Sequence, residues 1–261
     1  MRTRPLALCV SFLAAAGCVD QAPTAATANA LIVHAVLDLS TRDQYVVIQS
    51  TTGSIDQQRP VTGAIVTITT PDGHALLADE TLDSTRYLTP STMPRVTTVY
   101  RVSLDRYGID LVPGGTYRLR VTTPDGREVS GVTTIPNAVL DTAPTTQTID
   151  RRDTVRMSVP RAVGVSAYEV VASWRSRTAF FSDTAVALPA PVVSTNGPGG
   201  IVFEPPTPWM VVVSAVDQNY YDYFRRASDP WTGSGVISHL DGAIGVFGSM
   251  VPVLRLQVIV Q

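Results

Sequence analysis

Apolar and polar residues alternate with a period of two through much of this chain. In Thr116–Thr122, Tyr117, Leu119 and Val121 fall on one side and Arg118 and Arg120 on the other. Successive strand side chains point to opposite faces, so this pattern predicts an antiparallel sheet with one wet face. The same alternation sets Tyr168, Val170, Ala172 and Trp174 against Glu169, Ser173 and Arg175. Near the end, Leu254, Leu256, Val258 and Val260 oppose Arg255 and Gln257. Shorter apolar runs at 31–37, 45–48, 59–68 and 74–80 predict further strands, and the unbroken run Trp209–Val216 predicts a buried central one.

Turn chemistry punctuates these runs. Thr69-Thr70-Pro71-Asp72-Gly73 recurs as Thr122-Thr123-Pro124-Asp125-Gly126, 53 residues later. Proline presets φ for the first turn position, aspartate caps, and glycine takes the positive φ, so each copy predicts a β-hairpin. The similarity stops after five residues, which points to repeated turn chemistry and not to a duplicated module. Residues 136–152, rich in Thr, Asp and Pro, read as a linker or a crossover strand.

One segment departs from the period of two. Residues 217–226 lack Gly, Pro and β-branched side chains, Asp217 suits a helix N-cap, and Arg225 and Arg226 suit a helix C-terminus. Tyr220, Tyr223 and Phe224 share one helical face. Such a face either packs over a sheet or stacks on a sugar. The glycines of Gly242–Gly248 favour packing, because a strand without side chains can approach a bulky ring closely. Burial of Phe224 and of at least one of Tyr220 and Tyr223 is expected.

Composition agrees with strands. Val (36) and Thr (31) make about a quarter of the 261 residues, and both are β-branched. The 20 basic residues are all Arg, against 22 acidic ones, a formal charge of −2. Nucleic-acid binding needs a basic field and is excluded on this balance. Disorder is excluded by the 44% apolar content. The fold class expected is all-β: two β-sandwich-like domains at 30–137 and 138–261, with the short aromatic helix near the C-terminus.

The first residues read as a targeting device. Arg2 and Arg4 precede a short apolar stretch, too short to span a bilayer of ~30 Å as a helix, that ends in Ala14-Ala15-Ala16-Gly17-Cys18. Small residues before a cysteine resemble the lipobox of bacterial lipoproteins. The resemblance implies a signal peptide at 1–17, cleavage after Gly17, and acylation (palmitate among the acyl groups) at Cys18. Residues 18–29 would then be a tether of at most roughly 35–40 Å, bound to the membrane by its lipid. Cleavage would leave 18 Arg against 22 acids, a formal charge of −4.

Two wider resemblances follow. Pro60–Ile68 together with Leu111-Val112-Pro113-Gly114-Gly115 running into Thr116–Val121 is similar to transthyretin-like modules fused to carboxypeptidases and transport receptors, which implies a small β-sandwich without catalytic residues. Val216–Tyr223, Asp229-Pro230-Trp231 and Asp241–Ser249 are similar to the C-terminal signature of the domain-of-unknown-function 4249 family of predicted outer-membrane lipoproteins. That resemblance covers most of the chain. It implies an outer-membrane, lipid-anchored accessory, with an outer-membrane transport receptor as a partner, and brings no catalytic residues.

Motifs for chemistry are sparse. His34, His74 and His239 lack a second ligand at zinc-site spacing, and the acid nearest to His239 in sequence is Asp241. No nucleophile elbow, phosphate-cradling loop or Asp-rich calcium loop occurs. Glu204 beside Phe203 is the one glutamate in an apolar window. No metal, cofactor or catalytic residue is assigned, and a calcium between loops stays open. The residues marked for a binding surface are Tyr220 and Tyr221 on the helix and the alternating pair Arg118 and Arg120. The expected function is non-enzymatic binding or transport accessory work. The alternatives are an envelope hydrolase acting on polysaccharide or peptide, and a structural or adhesion module. A cleft with two facing carboxylates would favour the hydrolase, and an exposed apolar patch would favour a partner.

Overall fold

The structure is a computed structural model. It describes residues 29–51, 58–84, 96–150, 154–157, 159, 162–173, 177–182, 187–189, 208–225 and 237–261. The expected signal peptide and Cys18 lie outside the described residues, as do Glu204 and Arg226. Among the described residues no helix is long and apolar enough to cross a membrane.

The chain opens with β1 (Leu31–Asp38), β2 (Asp43–Thr51), β3 (Gln58–Pro60), β4 (Ile65–Thr69), β5 (Ala75–Leu77), β6 (Asp79–Ser84) and β7 (Val96–Ser103). A single helical turn, α1 (Leu104–Tyr107), leads to β8 (Thr116–Thr122) and β9 (Glu128–Thr134). The second half holds β10 (Thr145–Ile149), β11 (Thr154–Arg156), β12 (Ala167–Ser173), β13 (Arg177–Ser182), β14 (Ala187–Pro189) and β15 (Trp209–Val216). After it come α2 (Gln218–Phe224), β16 (Leu240–Asp241) and β17 (Ile244–Val260). The protein is all-β, with its longer helix near the C-terminus.

A large sheet runs β13-β12-β15-β17-β1-β2-β7-β6, with β10 beside β17 and β3 beside β2. A smaller sheet runs β16-β9-β8-β4-β5, and β11 pairs with β14. Both sheets take strands from residues 30–137 and from residues 138–261. Strand β17 makes the join: Ile244–Met250 pairs in parallel with β1, and Met250–Val258 pairs antiparallel with β15. One hydrophobic core unites the inner faces, with Val33, Val46 and Tyr100 from the large sheet and Val66, Leu119 and Val121 from the small one.

The patterning reads through into these positions. In β8 the alternating residues Tyr117, Leu119 and Val121 are buried, and Arg118 and Arg120 are exposed. β15 lies between β12 and β17, as an unbroken apolar run requires. The run at 74–80 is divided, because the chain leaves the small sheet after β5 and enters the large one at β6. Ala78 marks the crossing, its N–H donating to Val66 O. The 136–152 segment carries β10, which pairs in parallel with the end of β17. Pro252 sits where one edge of β17 has lost β1 and not yet met β10, so its missing N–H leaves no ladder bond unmade.

The repeated five-residue turns adopt one geometry at opposite ends of the small sheet. In each, the Thr hydroxyl donates to the Asp carboxylate two residues on (Thr70 to Asp72, Thr123 to Asp125) and accepts the backbone N–H at the turn's exit. Gly73 and Gly126 take φ of 90° and 83°. The two turns also cover each other's strands. A Cβ on Gly115, at the start of β8, would meet Pro71 at 2.8 Å, and one on Gly63, before β4, would meet Pro124 at 3.3 Å.

Candidate functional site

The outer face of the small sheet is a map of registered side chains. Thr67, Arg120, Ser130 and Asp241 lie across β4, β8, β9 and β16 in one row. Thr69, Arg118 and Val132 form the next. Arg120 is bound to Glu128 at 2.8 Å, whereas Arg118 has no ion-pair partner among the described residues. Asn219 of α2 and His239 rise beside this floor, and together they enclose a groove of about 890 Å³. Three large aliphatic side chains are exposed on the same face: Ile65 (61%), Leu77 (46%) and Val132 (44%).

The wall of the groove is set by how α2 is fastened. Asp217 is its N-cap and accepts from Tyr220 N at 2.9 Å and from Ser249 N at 3.0 Å. The other oxygen of Asp217 accepts from the Thr133 hydroxyl at 2.5 Å. Burial raises the Asp217 pKa above its ordinary range, outweighing these three donors. Asn219 Nδ2 donates to Val132 O and Phe247 O, which clips the helix to β9 and β17 together. Asp222 is buried and gathers Gln218 at 2.8 Å, His239 at 3.0 Å and Arg225 at 3.3 Å. Asp217, Asn219 and Asp222 are therefore a three-point fastening.

The aromatic face packs. Tyr220 is 6% exposed and its hydroxyl donates to Glu169 at 3.0 Å. Tyr223 shares a 2.8 Å hydrogen bond with His34. Burial pushes His34 down to about 4 and Tyr223 up to about 12. Phe224, expected to be buried, is half-buried, with its ring 4.5 Å from that of Tyr220. Gly248 explains the close fit: a Cβ there would meet Tyr220 N at 2.9 Å and Tyr220 Cβ at 3.0 Å.

The four residues marked for a binding surface therefore separate. Arg118 and Arg120 lie on the groove floor. Tyr220 faces the large sheet and presents no free ring face. Tyr221 is held between Phe181, at 5.3 Å, and the Arg225 guanidinium, at 5.0 Å. Asn219 and His239 were not foreseen as groove residues. His239 pairs with Asp222, 17 residues earlier, and not with its sequence neighbour Asp241. Among the described residues no three His, Cys, Asp or Glu side chains come together to hold a metal ion.

A two-sheet β protein with one short helix fastened across both sheets is the class this geometry defines. A family model, described as a domain of unknown function (DUF4249), matches residues 19–250, and the chain belongs to that family. No curated protein and no solved structure matches it.

Proposed function

We propose that the protein is a lipid-anchored envelope component that binds a protein partner, without catalysis, through the outer face of the small sheet. The observation that carries this reading is the composition of that face. Exposed Ile65, Leu77 and Val132 share this face with Arg118, and Val132 lies directly beside it; apolar area with arginine is characteristic of protein interfaces. Glu128 and Asp241 also line the groove, but both belong to its floor, and Glu128 is engaged by Arg120. Glycoside hydrolysis needs two carboxylates flanking one bond, which supports binding over that chemistry.

The position of Asn29, where the expected tether meets the folded part, supports a partner in the same membrane. Arg127, at the end of the β8–β9 hairpin, donates to Asn29 O at 2.6 Å. The tether to Cys18 would therefore leave from the end of the molecule where Glu128 and Asp241 line the groove. The outer-membrane transport receptor implied by the family resemblance fits that placement.

Site-specific photo-cross-linking in intact cells tests this. A cross-linker at Ile65 or Val132 should yield one discrete adduct with an integral membrane protein, and one at exposed Val163 should not. No adduct from either face position, or the same adduct from Val163, overturns the proposal.

A further inference from the structure

We infer that the groove takes its partner as an extended segment carrying a carboxylate and, four residues away, a cationic side chain. The inference rests on the protein-binding reading above and names the chemistry that the partner brings to it.

The charges of the groove divide into satisfied and unsatisfied ones. Arg120 is engaged by Glu128 at 2.8 Å, and His239 by Asp222 at 3.0 Å. Arg118 and Asp241 line the same groove and have neither an ion pair nor a side-chain hydrogen bond among the described residues. The register of the small sheet sets these two apart. Arg118 pairs with Val132 and Asp241 with Ser130, so they stand two strands and one row from each other. Strand spacing and rise place their Cα atoms about 12 Å apart. Charge complementarity then asks for a carboxylate opposite Arg118 and an ammonium or guanidinium opposite Asp241. A polyanion meets repulsion at Asp241, and a polycation meets it at Arg118.

Backbone geometry selects the form of the segment. In an extended chain, residues i and i+4 point the same way and lie about 13 Å apart, which matches the separation of the two charges. The intervening i+2 residue falls between Val132 and Ser130, where the exposed Val132 side chain favours an apolar contact. The wall adds recognition of the main chain. Asn219 commits its Nδ2 to Val132 O and Phe247 O, and its Oδ1 has no donor among the described residues. The backbone N–H of an extended segment supplies that donor, whereas those inside a helix are already bonded. A second copy of this chain would satisfy Arg118 and Asp241 reciprocally about a two-fold axis. It would bring a sheet with a wall of its own, however, and a walled groove is filled by a single segment.

The test uses the full chain in intact cells, with the photo-cross-linker at Ile65 and the adduct to the membrane partner as the readout. Arg118→Glu and Asp241→Arg should each reduce the adduct at least fivefold at an unchanged level of the chain. A cross-linker at Val132, followed by mass spectrometry, maps the partner's segment, which should hold an acidic and a basic residue four positions apart. Exchanging those two residues in the partner should restore the adduct of the Arg118→Glu, Asp241→Arg double variant. Where a reversal lowers the level of the chain, Arg118→Gln and Asp241→Asn replace it and should reduce the adduct at least twofold. An adduct that either substitution leaves undiminished, or a mapped segment without that pair, overturns this inference and leaves the protein-binding reading standing. No adduct from the parent chain, or one of twice the chain's own mass, overturns both.

Discussion

The backbone N–H of Ser249 donates to the carboxylate of Asp217, 32 residues earlier in the chain, at 3.0 Å. The bond couples the N-terminus of α2 to the strand that joins both halves of the large sheet. The Thr133 hydroxyl reaches the same carboxylate from the small sheet. Asp217→Ala removes an N-cap and leaves buried donors unmet, and should cost about 2–4 kcal/mol in urea unfolding. Burial raises the folded-state pKa of Asp217, so its contribution is largest below about 4 and declines as pH rises through the folded value. Asp217→Asn should lose that pH dependence. An unaltered slope of unfolding midpoint against pH would show that Asp217 is not its source.

His34 acts with the opposite sign. Its folded pKa is depressed to about 4, so its contribution is complete above about 6.5 and is lost as pH falls toward 4. The shift corresponds to up to roughly 3 kcal/mol. His34→Gln should remove most of this loss between pH 7 and pH 4.5. Performed in the Asp217→Asn background, the comparison isolates the histidine. A parent chain that loses no stability over that range would contradict the buried, neutral His34–Tyr223 pair.

The aromatic side chains of α2 should differ in rank. Tyr220 is enclosed, so Tyr220→Ala should cost roughly 3–5 kcal/mol, whereas half-buried Phe224→Ala should cost about 1–3. Denaturant midpoints of the two variants give the order. Equal, near-parental midpoints would mean that the helix is not packed on the large sheet.

Much of this architecture is legible along the chain, because its signals are local. Period-two alternation places Tyr117 inside and Arg118 outside. The Thr-Pro-Asp-Gly turns declare two hairpins, and Asp217 declares a helix start. What could not be read is set by register between distant segments. Nothing near Thr133 indicates that its hydroxyl meets Asp217, 84 residues away. Glu169, polar in an alternating strand, suggests a wet face, yet it is buried because Tyr220 covers it. The turn α1 is too short to show a helical period. The groove escapes a sequence reading for the same reason: its floor joins the β8–β9 hairpin to β4 and to β16, and its wall comes from residues 219 and 239.

Membrane attachment is tested at Cys18. Cys18→Ser removes the only acyl acceptor at the proposed cleavage site, so the chain should move from the membrane to the soluble fraction. Labelling with a radioactive fatty acid should vanish with it. Persistent labelling of the Cys18→Ser variant would sink the lipid anchor and, with it, the proposed orientation of the groove.

Gly245 separates conformational strain from steric exclusion. Its φ is 142°, and a Cβ there would overlap the carbonyl of Val33 on the paired strand β1. Relief would require β17 and β1 to separate at their parallel pairing, which opens the core behind Val33. Gly126 is the control: its φ of 83° is also one that side chains rarely adopt, but no described residue lies within 4 Å of a Cβ there. Gly126→Ala should therefore cost only the left-handed backbone term, about 1–2 kcal/mol. Gly245→Ala adds overpacking against backbone that cannot change rotamer, and should cost at least a further ~1–3 kcal/mol or prevent folding. Urea midpoints of the two variants, or soluble yield where Gly245→Ala does not fold, make the comparison. Equal losses at both positions would mean that β1 and β17 do not approach as closely as their register requires.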